Sequence, residues 1–154
     1  MKKHLYLTLL FFAVTLNLSA QKIDSKDLIY DDGVTFTIKR FNNAKTTQYG
    51  DGNDFTLYIA KGGRFKSAWV QFSNNTDEIA EIDFSKIFLL DQSGNKYHIH
   101  IVAQAYKIAF TTEKYKRKLN AGKKGTYIIE FWPPYPKDEV AEKLEVNGNI
   151  LMIE

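Results

Sequence analysis

Between Ala68 and Ile101 the chain reads AWVQFSNNTDEIAEIDFSKIFLLDQSGNKYHIHI, extended runs separated by polar turns. This stretch restricts the fold more than any other. Ala68, Val70 and Phe72 alternate with Trp69, Gln71 and Ser73, the period-two pattern of a strand with two unlike faces. Asn74, Asn75, Thr76 and Asp77 break the pattern with residues that hydrogen-bond their own backbone and accept turn geometry. IFLL and YHIHI then follow as two more strands around DQSGNK. A four-residue loop there places Asp91 opposite Lys96, Leu90 opposite Tyr97 and Phe88 opposite Ile99, with Leu89 facing His98 and Ile87 facing His100. A slip of one residue would exchange the two faces.

The flanking segments continue the theme. Val34, Phe36 and Ile38 alternate with Thr35, Thr37 and Lys39 in a half-buried strand. The polar, Gly-containing run from Asn42 to Asp54 reads as a long loop. KGGR suggests a hairpin turning at Gly62 and Gly63, with Ile59 facing Lys66, Leu57 facing Ala68 and Phe55 facing Val70. Phe55, Leu57, Ala68 and Val70 then form one core face, and Tyr58, Phe65 and Trp69 gather on the opposite one. AYKIAF is a further strand, and TTEKYKRKLNAGKKG a basic loop. Thr126 to Trp132 carries Tyr127, Ile129 and Phe131 on one face and stops at Pro133, Pro134 and Pro136, which cannot donate to a ladder. Asn147 and Gly148 mark a last hairpin in which Leu144 faces Leu151. No segment sustains a helical period and no internal repeat occurs.

The first residues have a different character. Lys2 and Lys3, the apolar run Leu5 to Leu16, and Asn17 to Ala20 describe a secretory signal peptide over residues 1–20, cleaved before Gln21. The remaining 134 of 154 residues, 21–154, suffice for a single domain with its own core. The chain has no cysteine, so it holds neither disulfide nor thiolate chemistry. No second apolar stretch suggests a membrane span. The address expected is extracytoplasmic, secreted or periplasmic.

The order of these motifs resembles bacterial secreted proteins and lipoproteins of the immunoprotective-extracellular type. The resemblance lies in Val70 to Asn74, Phe88 to Asp91, Gly94, Tyr97, and Leu119 to Gly122 ahead of Thr126 to Trp132. It implies an all-β, immunoglobulin-like antiparallel β-sandwich with a binding or interaction role. It supplies no catalytic residues.

Candidate sites are few. Nucleophile elbows, phosphate-binding Gly loops and cysteine nucleophiles are absent from the sequence, so no enzyme and no cofactor are expected. His98 and His100 sit two residues apart on one strand, but two ligands do not make a zinc site, and no metal is expected. Asp51, Gly52, Asn53 and Asp54 lack the spacing of an EF-hand and read as a turn. Lys114, Lys116, Arg117, Lys118, Lys123 and Lys124 form a basic segment suited to an anionic glycan or headgroup, against the alternative of a solvated loop. Export argues against a nucleic-acid partner. Tyr58, Phe65 and Trp69 are the candidate ligand-binding surface, unless Trp132, Pro133, Pro134 and Tyr135 cover them. The expectation is a non-catalytic module for a protein or glycan of the cell envelope. The alternative is a proteinase-inhibitor-like sandwich acting through a protruding Asn42 to Asp54 loop.

Overall fold

The computed structural model describes residues 27–51, 54–104, 107–109 and 115–153. The expected signal peptide over residues 1–20, Gly52, Asn53 and Lys114, and the side chain of Phe55, lie outside the described residues. In chain order the strands are β1 (Leu28–Asp31), β2 (Val34–Ala44), β3 (Thr46–Asp51), β4 (Asp54–Ile59), β5 (Gly63–Asn74), β6 (Ala80–Asp83) and β7 (Ile87–Leu90). They continue as β8 (Lys96–Gln104), β9 (Lys107–Ala109), β10 (Lys116–Leu119), β11 (Lys124–Trp132), β12 (Tyr135–Pro136), β13 (Lys143–Val146) and β14 (Asn149–Met152).

These strands form an all-β, immunoglobulin-like antiparallel sandwich. The main sheet runs β1-β2-β5-β11-β8-β7-β13-β14, with β12 beside β5 and β9 beside β8. Its two ends meet where Asn147 Nδ2 donates to the Tyr30 carbonyl at 2.8 Å, tying the β13–β14 turn to β1. Between the layers lies the core. Phe72 is its centre, with the rings of Tyr30, Phe36, Phe84 and Tyr127 at 5.4, 5.4, 5.6 and 5.9 Å. The alternation read from the sequence selects these residues: Val34, Phe36 and Ile38 of β2 and Tyr127, Ile129 and Phe131 of β11 are all buried.

Two of the residues that carry the resemblance, Asn74 and Asp91, are hydrogen-bond hubs of the fold. Buried Asn74 donates from Nδ2 to the carbonyls of Glu78 at 2.7 Å and Leu119 at 3.0 Å, and accepts from the Thr76 N–H and Oγ1. Asp91 accepts from the Asn95 N–H and Nδ2, both at 2.8 Å, and from the Tyr97 hydroxyl at 2.9 Å. Burial alone would raise the Asp91 pKa, but the donated hydrogen bonds outweigh it and hold the carboxyl below its ordinary value.

Asp91 also corrects the expected register. Leu90 pairs with Lys96, Leu89 with Tyr97 and Phe88 with His98, one residue away from the sequence reading. The turn spans five residues, 91–95, because Asp91 stays in it, bonded to Asn95 and Tyr97, while Gly94 supplies a φ of 83°. Leu89 and Tyr97 therefore share the core face, and Phe88 and His98 share the outer one.

The Gly62–Gly63 hairpin is not formed. β4 pairs with β3, Leu57 lying opposite Gln48 and Ile59 opposite Thr46. β5 pairs instead with β2 and β11, so Ala68 lies opposite Phe41 and Ile129, and Val70 opposite Ile38 and Tyr127. Gly63 belongs to the strand rather than to a turn. A Cβ there would stand 2.7 Å from the Tyr135 carbonyl, so glycine is what lets β12 pair so closely. Leu57, expected in the core, is 57% exposed. The expected loop from Asn42 to Asp54 is the end of β2 followed by the β3–β4 ribbon. The Asn147–Gly148 hairpin stands, with Leu144 opposite Leu151 and φ values of 51° and 83° at the turn.

Candidate functional site

The outer face of the β2–β5–β11–β8 sheet is built in rows, because directly opposite residues project from the same side. One row is Arg40, Trp69, Ile128 and Ala103; the next is Asn42, Ser67, Glu130 and Ile101. Two β-bulges shape it. Between Ile38 and Arg40 the register shifts past Lys39, and between Phe131 and Glu130 the partner strand passes from Ile99 to Ile101, skipping His100. Each bulge adds one residue and re-aims its neighbours.

The β8 bulge turns His100 to the outer side. Its Nε2 lies 2.8 Å from Glu130 Oε1, which also accepts a hydrogen bond from Thr47 Oγ1 of the ribbon. Thr47 and Tyr58 are opposite each other in the ribbon, and both reach down to the sheet. Tyr58 meets Trp132 edge-on at 5.2 Å, Phe65 stacks on it at 5.5 Å, and His100 lies 5.3 Å away. This is a small second core beneath the ribbon.

That second core decides the aromatic surface. Tyr58, Phe65 and Trp69 do not form one open platform. Phe65 is 1% exposed, stacked on Trp132, and Tyr58 packs against the same indole. Trp132 is thus the cover weighed in the sequence. Trp69 lies apart from it, half-buried, with the Arg40 guanidinium 4.2 Å from its ring centroid and Ile128 beside it at 36% exposure. The ribbon covers the Glu130 row through Thr47; the Trp69 row beyond carries the exposed side chains of Arg40 and Ile128.

Sequence reasoning missed Lys39, Arg40 and Ile128. A signal existed: Phe36, Ile38 and Phe41 are spaced two and then three apart, and the break in period marks the bulge. In an unbroken strand Arg40 would face the core and Phe41 the solvent. With the bulge both Lys39 and Arg40 are exposed, and Phe41 is buried.

The basic segment is dispersed rather than a single loop. Lys116 to Lys118 lie in β10 against β6, with Lys116 opposite Asp83 and Lys118 opposite Glu81. Lys116 Nζ contacts Glu81 Oε1 at 2.9 Å, and that hydrogen bond raises the lysine pKa. Arg117 turns inward, half-buried, and donates to the Lys116 carbonyl. Lys123 and Lys124 lie past the next turn, where β11 begins. The alternation of the strand turns Arg117 away from its neighbours, and the acidic partner strand pairs Lys116, so the segment is divided rather than one continuous patch.

The two histidines also differ from expectation. His98 is exposed on the outer face opposite Phe88 and Trp132, its pKa lowered by partial burial and then by repulsion from His100. His100 faces Glu130, not Ile87.

A likeness in structure accompanies this geometry. The chain is similar to a conserved hypothetical protein of Bacillus anthracis, with 16% identity and a TM-score of 0.54, covering 88% of this chain and 97% of that one. At that identity the likeness shows the fold alone. An uncharacterized β-sandwich protein of Clostridium difficile matches at 16% identity and TM-score 0.49, over 84% of this chain and 89% of its own. The secreted protein MPT63 of Mycobacterium tuberculosis matches at 16% and 0.48, over 83% and 90%. No family model matches the chain. No curated protein matches it either. Among the described residues no helix is long and apolar enough to cross a membrane.

Proposed function

We propose that this chain is an exported, non-catalytic binding module that engages a protein or glycan of the cell envelope on its outer sheet face around Trp69. One observation carries the reading: Trp69 lies only half-buried, between exposed Arg40 and exposed Ile128, while Phe65 and Tyr58 are packed under the ribbon. A large aromatic on a rigid strand brings apolar area and a polar N–H at little entropic cost, which is what an anchor residue needs. The extracytoplasmic address is supported by Lys2, Lys3 and the apolar run Leu5 to Leu16. The proteinase-inhibitor alternative has less support, since its acting segment is a ribbon pinned by Thr47 and Tyr58.

The test is capture from the producing cell's envelope fraction with exported protein, wild type and Trp69→Ala. The wild type should retain a partner that Trp69→Ala loses, with both proteins melting within a few degrees of each other. Equal capture by the two proteins, or none by either, overturns the reading.

A further inference from the structure

Resting on the binding role just given, we propose that the Trp69 surface is an oxyanion site: Lys39 and Arg40 receive the carboxylate or sulfate of an acidic glycan, with Trp69 and Ile128 beside them.

Three observations carry it. The β2 bulge places two consecutive cations on one side of the sheet, both exposed, where a regular strand would have sent one into the core. Trp69 holds the second of them: a guanidinium 4.2 Å above an indole ring is fixed by cation–π attraction, and its N–H fork is directed sideways in its own plane. That fork matches the paired oxygens of a carboxylate or sulfate. Finally, neither Lys39 nor Arg40 joins an ion pair among the described residues, whereas Lys96, His100 and Lys116 each meet a glutamate.

The neighbouring carboxylates are turned elsewhere. Glu130, one row away, accepts from Thr47 and contacts His100. Asp27 accepts from Thr37 Oγ1 at 2.5 Å. Lys116, by contrast, has Glu81 against it. Lys39 and Arg40 are thus open to an external anion, whereas Lys116 is partnered within the protein. Beside the fork, the edge of Trp69 and the exposed side chain of Ile128 offer apolar surface for the C–H face of a sugar ring.

The experiment titrates the full exported protein with polygalacturonate, which carries carboxylates, with dextran sulfate, and with neutral dextran. Wild type should bind at least one polyanion, more weakly as salt rises, and should not bind neutral dextran. Arg40→Gln should weaken binding about ten- to hundredfold, the loss of a charge-assisted bidentate contact. Arg40→Lys should restore only part, because an ammonium lacks the fork, and Lys116→Gln should bind as wild type. Polygalacturonate against dextran sulfate distinguishes carboxylate from sulfate. Absent binding of either polyanion, unchanged binding by Arg40→Gln, or equal losses in Arg40→Gln and Lys116→Gln would overturn the site. If Arg40→Gln keeps envelope capture that Trp69→Ala loses, the oxyanion class falls and the binding module stands. If both variants keep it, the binding surface falls as well.

Discussion

Replacing Phe72 and Leu57 each by alanine separates the observed core from the one suggested by the Gly62–Gly63 hairpin. Phe72 is fully buried at the crossing of Tyr30, Phe36, Phe84 and Tyr127. An aromatic ring in such a place removes about 150–250 Å² from water, or roughly 4–6 kcal/mol at about 25 cal/mol per Å². Alanine recovers a small part of that and leaves a cavity, so Phe72→Ala should cost about 3–5 kcal/mol. For a domain of this size the melting temperature should fall by roughly 10–20 °C. Leu57, on the solvent side of the ribbon, should cost no more than about 0.5 kcal/mol. Urea unfolding followed by tryptophan fluorescence measures both, with the slope of the transition checked for constancy. A Leu57→Ala loss above about 2 kcal/mol would mean that β4 lies in the core after all. A Phe72→Ala loss below about 1 kcal/mol would mean that the aromatic crossing is not the centre of the fold.

Two further outcomes are expected. Asn74→Ala removes an amide that satisfies the carbonyls of Glu78 and Leu119, and should cost about 2–4 kcal/mol in the same assay; a loss under about 0.5 kcal/mol would remove Asn74 as a hub. Stability should also fall at high pH. Burial, then the hydrogen bond to Asp91, raises Tyr97 to about 12, and burial raises Tyr30, Tyr127 and Tyr135 as well. The unfolded phenols titrate near about 10, so their contribution is complete below that pH and is lost as pH climbs toward the folded values. Asp91 behaves oppositely: its depressed pKa contributes above about pH 4 and is lost on acidification through the folded value. Unfolding free energies measured across pH 9–12 that stay flat would contradict the alkaline half.

Much of the fold is legible from local pattern. Alternation assigns β2, β5 and β11 a core face whatever their partners, so Val34, Phe36, Ile38, Val70, Phe72, Tyr127, Ile129 and Phe131 could be placed inside from the sequence. The Asn147–Gly148 turn is equally local, since two residues with positive φ select that hairpin. Of the candidate site, the sequence identified Trp69 but grouped it with Tyr58 and Phe65, which belong beneath the ribbon.

Tertiary structure decided the pairings. The N–H and C=O groups along a strand edge are the same for any partner, so nothing in β5 names β2 rather than β4 as its neighbour. The choice is made by which arrangement buries more: β2 brings Phe36, Ile38 and Phe41 to the core, whereas β4 is left with Leu57 and Ile59 in solvent. The Asp91 turn was settled by side-chain hydrogen bonds that periodicity does not register, and one added loop residue put Phe88, not Leu89, beside His98 on the outer face. The site itself has the same origin. Arg40 stands over Trp69 only because a bulge in one strand meets the right row of its neighbour, a relation between segments 29 residues apart that neither segment encodes alone.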